Sequence, residues 1–168
     1  MKTLIAVRHA KSSWDVAGQK DFDRTLNDRG KKDAPEMAQR LKEKGLKPDL
    51  FVSSPAKRAF KTTKYFAEEF KTDKDDIVIV DRLYEAPLET FQDVVSGLNS
   101  KYDVVLLVAH NPGITAFVNT FTEVHTDNMP TCGVFAVQAD TEDWKTFKDA
   151  TKKFLFFDYP KNPLEHLD

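Results

Sequence analysis

Leu4-Ile5-Ala6-Val7-Arg8-His9-Ala10-Lys11-Ser12-Ser13-Trp14 decides the reading of this chain. Four apolar residues in a row read as a short buried strand. They run directly into an Arg-His pair and then into a polar turn. In open α/β sheets, ligands bind outside the carboxyl ends of the strands. An imidazole and a guanidinium delivered together at that edge suit an anion. Arg offers a planar fork of donors that matches phosphate oxygens, and His can act as nucleophile or general base. The stretch Asp103-Val104-Val105-Leu106-Leu107-Val108-Ala109-His110-Asn111-Pro112-Gly113 repeats the design. Two of the four histidines therefore stand at strand exits. Taken singly, each can be no more than a hydrogen-bonding cap on its own strand.

Working outward, strands and helices alternate. After the polar loop Lys11 to Asp23, which is long enough to fold over a site, Asn27 is a good N-cap and Asp28 suits the positive end of a helix dipole. Ala34, Met37, Ala38 and Leu41 recur at helical spacing, Gly45 ends the helix and Pro48 follows it. Gly30 in the first turn lowers helix propensity and points to close packing there. Leu50-Phe51-Val52 is a second strand. Ser54 as N-cap and Pro55 at the first helical position start a helix through Thr62, Tyr65, Phe66 and Phe70, with Arg58 near its beginning. Ile77–Val80 is a third strand, followed by a helix from about Leu88 to Leu98. The strand before His110 and a helix from Pro112 to about Thr122 come next. Two later strands, around Gly133–Val137 and Lys153–Phe157, have no helix between them. The pattern predicts one domain over 1–168 of α/β class: a three-layer α/β/α sandwich, its sheet mainly parallel with an antiparallel edge strand. The tail with Pro160 and Pro163 is expected to be loosely held.

Composition narrows the function classes. A net charge of −2 over 168 residues gives no footprint for nucleic acid or an anionic membrane. No apolar run approaches the roughly 18 residues of a membrane span, and the N-terminus lacks the pattern of a signal peptide. Cys132 is the single cysteine, so an intrachain disulfide is impossible and a cysteine-based metal site is not expected. The expectation is a cytoplasmic monomer with no metal and no cofactor.

Three strand exits thus offer Arg8-His9, Arg58 and His110. Two guanidiniums and two imidazoles around one phosphate make a site for phosphoryl transfer. The arginines neutralise oxygen charge where it grows, one neutral imidazole attacks in line, and the other donates a hydrogen bond.

These residues resemble the histidine phosphatase superfamily. Arg8-His9-Ala10 looks like its Arg-His-Gly signature, and Asp23, Leu26 and Gly30 resemble its next block. Ser54, Arg58-Ala59 and Thr62 match its Ser-x-x-x-Arg-Ala-x-x-Thr segment, and His110-Asn111 matches its second histidine. The similarity runs over about residues 3–120 and is greatest to the SixA-like phosphohistidine phosphatase branch. It implies a phosphoglycerate mutase-like fold and a metal-independent phosphatase. His9 would become phosphohistidine while Arg8, Arg58 and His110 hold the phosphoryl group. Glu85 is similar in placement to the acid of larger members, with Asp81 and Glu89 close by. Lys11, Ser12 and Asn111 are further candidates for substrate contact.

Two positions depart from the family pattern. Ala10 replaces the usual Gly, so the turn must tolerate a Cβ. Asp15 falls where mutase-type members carry a phosphate-binding Asn. A carboxylate there would repel phosphate, so Asp15 is expected to cap the loop or pair with a base such as Arg24, which argues against mutase activity. The substrate is expected to be a phosphorylated protein or a small phosphorylated molecule. Phosphohistidine in proteins is the first choice. The alternatives are a small-molecule phosphomonoesterase or mutase, or a catalytically silent phosphate-binding module.

Overall fold

The computed structural model describes residues 1–162. Six strands form one sheet: β1 (Lys2–Arg8), β2 (Leu50–Ser53), β3 (Val78–Ile79), β4 (Val104–Ala109), β5 (Val134–Ala139) and β6 (Lys152–Asp158). Their order is β3-β2-β4-β1-β5-β6. The first four in that order pair in parallel. β5 pairs antiparallel with both β1 and β6, so it alone runs against the other strands. The reversal sits one place in from the edge.

The helices are α1 (Asp28–Glu43), α2 (Lys57–Glu69), α3 (Leu88–Ser96) and α4 (Gly113–Val118). Side chains alternate across a strand, and β1 shows the result. Leu4 and Ala6 pack with Phe91, Val95, Ile114 and Phe117 of α3 and α4. Ile5 and Val7 pack with Ala34, Met37 and Leu41 of α1 and with Phe66 of α2. A strand covered on both faces is apolar throughout, which is why Leu4–Val7 reads as an unbroken run. The architecture is the expected α/β/α sandwich.

Helix α1 is docked against the exit of β1. Asn27 Oδ1 accepts from the Gly30 amide at 2.9 Å, and the Asn27 amide donates to the Lys11 carbonyl at 3.0 Å. A Cβ on Gly30 would collide with that same carbonyl, so close approach explains the glycine. Gly45, at φ 83°, takes the left-handed turn that ends the helix.

Several boundaries differ from the sequence reading. α2 starts at Lys57 rather than Pro55, and its cap residue Ala56 has no side-chain bond to offer. α3 stops at Ser96, and α4 covers only Gly113–Val118. The third strand keeps just Val78 and Ile79, both exposed at the sheet edge. The chain at Pro160 is tied down rather than loose. Arg40 donates to the carbonyls of Tyr159 and Pro160 at 3.1 and 3.2 Å, and Asn162 is buried beside Asp158. Pro163 lies outside the described residues.

Candidate active site

The strand order brings the exits of β2, β4 and β1 side by side. Backbone bonds lock them in step: the His9 amide donates to Ala109 O at 3.1 Å and the Ser54 amide to Val108 O at 3.0 Å. His9, His110 and Ser54 therefore meet at one edge, although they lie far apart in sequence. The two imidazoles tilt toward each other with centroids 5.1 Å apart. Arg58, in the first turn of α2, points back to them, its Nε 3.4 Å from His9 Nε2.

A cavity of about 300 Å³ opens here, and Arg8, His9, Lys11, Ser12, Arg58, His110 and Asn111 all line it. His9 Nδ1 lies 2.8 Å from the carbonyl of Ala10. A carbonyl can only accept, so Nδ1 carries the proton and Nε2 keeps its lone pair. His110 Nε2 lies 2.7 Å from Ser54 Oγ. Arg8 Nη1 donates to Met129 O at 2.8 Å, but Arg8 Nε and His110 Nδ1 are buried without a protein partner. A buried polar atom left unpaired costs about 1–3 kcal/mol, and the two residues that carry these atoms both line this one cavity.

Burial, above all, pushes the His9 imidazole down to about 3, against the pull of its Ala10 hydrogen bond; His110, Arg58 and Arg8 add to the effect. Burial also brings His110 to about 4, with Arg58 and Arg8 pushing down and Asp21 pulling up. Both rings are therefore uncharged at neutral pH.

The remaining expected residues divide. Ser12 is buried, and its hydroxyl is taken by Arg24 Nη2. Asn111 lines the cavity, but its amide serves the protein. Nδ2 donates to Asn128 Oδ1 at 2.7 Å and to Met129 O at 3.1 Å, while Oδ1 accepts from Thr115 at 2.6 Å. Glu85 lies outside this cavity. At φ 56° it lines a neighbouring cleft of about 400 Å³ with Pro87, Leu88, Pro112 and Ala116, and the two spaces meet at His110 and Asn111. Asp81 and Glu89 line neither space. The turn at Ala10 has no left-handed backbone, so its Cβ is accepted without strain, and Thr62 Oγ1 receives its amide at 3.0 Å.

Asp15 does not pair with Arg24. It is exposed, and its amide bonds Ser13 Oγ at 3.1 Å. The carboxylate that holds Arg24 is Asp21, which the sequence reading passed over. It accepts from Arg24 at 2.8 Å, Arg58 at 2.9 Å and Tyr84 at 2.7 Å. Burial works to raise the Asp21 carboxyl, but these bonds, with Tyr84 first, hold it down at about 2. Burial and then the bond to Asp21 push Tyr84 up to about 12. Asp21 had one signal in sequence, its i,i+3 spacing from Arg24. Its other partners lie 37 and 63 residues away.

Fold and cavity together define an α/β protein built to handle phosphate. The chain belongs to the histidine phosphatase superfamily (branch 1), whose profile matches residues 4–95, and it is a hydrolase of the phosphatase class, SixA-like in structure. A protein assigned as the phosphohistidine phosphatase SixA of Agrobacterium tumefaciens superposes with a TM-score of 0.79 at 28% identity, covering 95% of this chain and 98% of that one. An uncharacterised chloroplastic protein of Arabidopsis thaliana is 26% identical over 152 residues, 86% of this chain and 69% of its own length. Phosphoserine phosphatase 1 of Hydrogenobacter thermophilus is 40% identical over 83 residues, which is 47% of this chain but only 38% of that enzyme. Among the described residues, no helix is long and apolar enough to cross a membrane.

Proposed function

We propose that this phosphatase works through a phosphoenzyme on His9 and that its substrate is phosphohistidine in proteins. The observation that carries the mechanism is a His9 Nε2 whose lone pair meets only the long Arg58 Nε–H contact at 3.4 Å, in a cavity lined also by Arg8 and His110, each of which holds a buried, unpartnered nitrogen, Nε and Nδ1. A phosphoryl group supplies acceptor oxygens for both nitrogens while its phosphorus meets the lone pair.

In the first step, His9 Nε2 forms a bond to phosphorus and the bond to the leaving group breaks. The Nδ1–H bond to Ala10 O persists throughout, so the ring carries the positive charge of the intermediate. In the second step, water forms a P–O bond as the N–P bond breaks. Phosphate leaves as H₂PO₄⁻ with both water protons, and His9 returns to its neutral form. Arg8, Arg58 and His110 balance charge on the oxygens in both steps, and the reading needs no metal. The residual role of Lys11, which lines the cavity, is to bring a further positive charge to its mouth.

The substrate choice rests on the leaving group. A phosphoester expels an alkoxide, which needs a proton in the transition state. A phosphoramidate expels a nitrogen that is readily protonated. The carboxylate that lines the His9 cavity, Asp21, is held ionised at about 2 and has no proton to give, and Glu85 stands off in the neighbouring cleft rather than beside His9. The stretch shared with a phosphoserine phosphatase favours a second reading, a phosphomonoesterase acting on a small molecule. Measuring kcat/KM for a phosphohistidine peptide and a phosphoserine ester, in wild type and Glu85→Gln, separates them. Phosphohistidine is expected to be preferred, with Glu85→Gln slowing the ester much more. A wild-type preference for the ester, or equal losses on both substrates, would favour the second reading. Turnover is expected to survive a chelator.

A further inference from the structure

Resting on the reading that a phosphoryl group occupies this cavity, we propose that Ser54 is a positioning residue: it locks His110 in the tautomer whose proton is on Nδ1, so that the ring presents a donor to the phosphoryl group. Ser54 is fully buried, and its Oγ has two partners, the Ala56 amide at 3.3 Å and His110 Nε2 at 2.7 Å. The amide can only donate, so it takes a lone pair of Oγ. The hydroxyl proton then has one acceptor in reach, His110 Nε2. The opposite tautomer would place an Nε2–H against Oγ. Ser54 would then accept twice, and its own proton would be stranded in a site with no water contact, at a cost of about 1–3 kcal/mol. It would also aim a lone pair of Nδ1 at the lone pairs of a phosphoryl oxygen.

The two active-site histidines thus share one tautomer and use it in opposite senses. Ala10 O holds the His9 proton on Nδ1, which leaves the Nε2 lone pair, met only by Arg58 Nε at 3.4 Å, for attack. Ser54 blocks Nε2 of His110, which leaves Nδ1–H as the donor. A ring that is uncharged at working pH can present either face, so a neighbour must choose. In sequence, Ser54 looks like a helix cap. The helix begins only at Lys57, which leaves this hydroxyl free for His110.

The test is ¹⁵N NMR of imidazole-labelled protein at neutral pH, in which long-range couplings assign the proton on each ring, combined with steady-state kinetics. Wild type is expected to show His110 protonated on Nδ1. Ser54→Ala is expected to populate the Nε2–H form and to lower kcat about ten- to a hundredfold, as loss of a histidine-orienting partner does, with KM changing little. Ser54→Thr keeps the hydroxyl and is expected to restore both the spectrum and most of kcat. His110 protonated on Nε2 in the wild-type spectrum would overturn the proposal whether or not the variants fold. So would Ser54→Ala with wild-type kcat. Failure of the wild-type protein to hydrolyse any phosphorylated substrate would strike the phosphatase reading and leave the tautomer to the spectrum.

Discussion

Strand β1 carries a cation at each end, Lys2 buried and Arg8 half-buried, and the two ends treat them differently. At the amino end, Lys2 is 1% exposed, and its ammonium donates to Ser100 O at 2.5 Å, Tyr102 O at 3.0 Å and Asp103 Oδ1 at 2.8 Å. All three of its protons have acceptors. At the carboxyl end, the Arg8 guanidinium gives one bond to Met129 O and keeps a buried Nε unpaired. Lys2 is saturated by its own protein and contributes to stability. Arg8 is left unsaturated by its protein, which is the condition of a group waiting for a ligand.

The same division can be put to the test. The largest effect is expected at the unsaturated end, where His9→Ala removes the proposed nucleophile and should lower turnover roughly 10⁴-fold or more. Isothermal titration should still show phosphate binding through the arginines. Turnover that survives this variant would remove His9 from the mechanism.

Next come the two cations themselves. Arg8→Ala should lower kcat/KM about 10²–10³-fold, as loss of a transition-state donor does, with little change in Tm. Lys2→Ala should do the reverse: kcat/KM close to wild type, and unfolding free energy in urea lower by about 1–3 kcal/mol, because the carbonyls of Ser100 and Tyr102 lose a buried donor while the exposed Asp103 returns to water. If the two variants lose activity and stability in the same proportion, the contrast between the ends is wrong.

A third substitution bridges the two properties. Gly30→Ala places a Cβ against the Lys11 carbonyl, so α1 and the turn after His9 must separate. Overpacking of this kind costs about 1–3 kcal/mol. Because the Lys11 turn also lines the cavity, activity and stability should fall together here, unlike at Lys2 or Arg8.

The gentlest probe is pH. His9 and His110 sit at about 3 and about 4 in the folded protein, against about 6.5 in an unfolded chain. Between those values the unfolded state binds more protons, so stability is full above about pH 6.5 and is lost as pH falls toward 4 and 3. Urea midpoints measured from pH 7.5 down to 5 should decline, and His9→Ala should reduce the slope. A flat profile in wild type would show that the rings are not buried neutral.

What could be read from sequence follows from how local each signal is. The strands announced themselves because Leu4–Val7 and Val105–Ala109 are buried on both faces and therefore apolar at every position. Asn27 and Gly30 were legible because capping and close approach act within a single turn. The cluster of Arg8, His9, Arg58 and His110 could be inferred because parallel strands all exit at one edge. Asp21, by contrast, gains its meaning only when Arg58 and Tyr84 arrive from elsewhere in the chain. Ser54 misled for a related reason. Serine before a proline looks like a cap, and only the neighbouring strand supplies the imidazole that claims its hydroxyl. Helix ends at Thr122 and Leu98 were overrun because apolar spacing continues past the last intrahelical bond.

The hydrogen bond from His9 Nδ1 to the Ala10 carbonyl has one more consequence, in the domain of regiochemistry. A histidine can be phosphorylated on either ring nitrogen, and the two products are distinct isomers with different lifetimes. With Nδ1 engaged by the backbone, only Nε2 can receive the phosphoryl group. A trapped intermediate should therefore react with antibodies to 3-phosphohistidine and be invisible to those raised against the 1-isomer, which makes a one-atom feature of the turn readable on a blot.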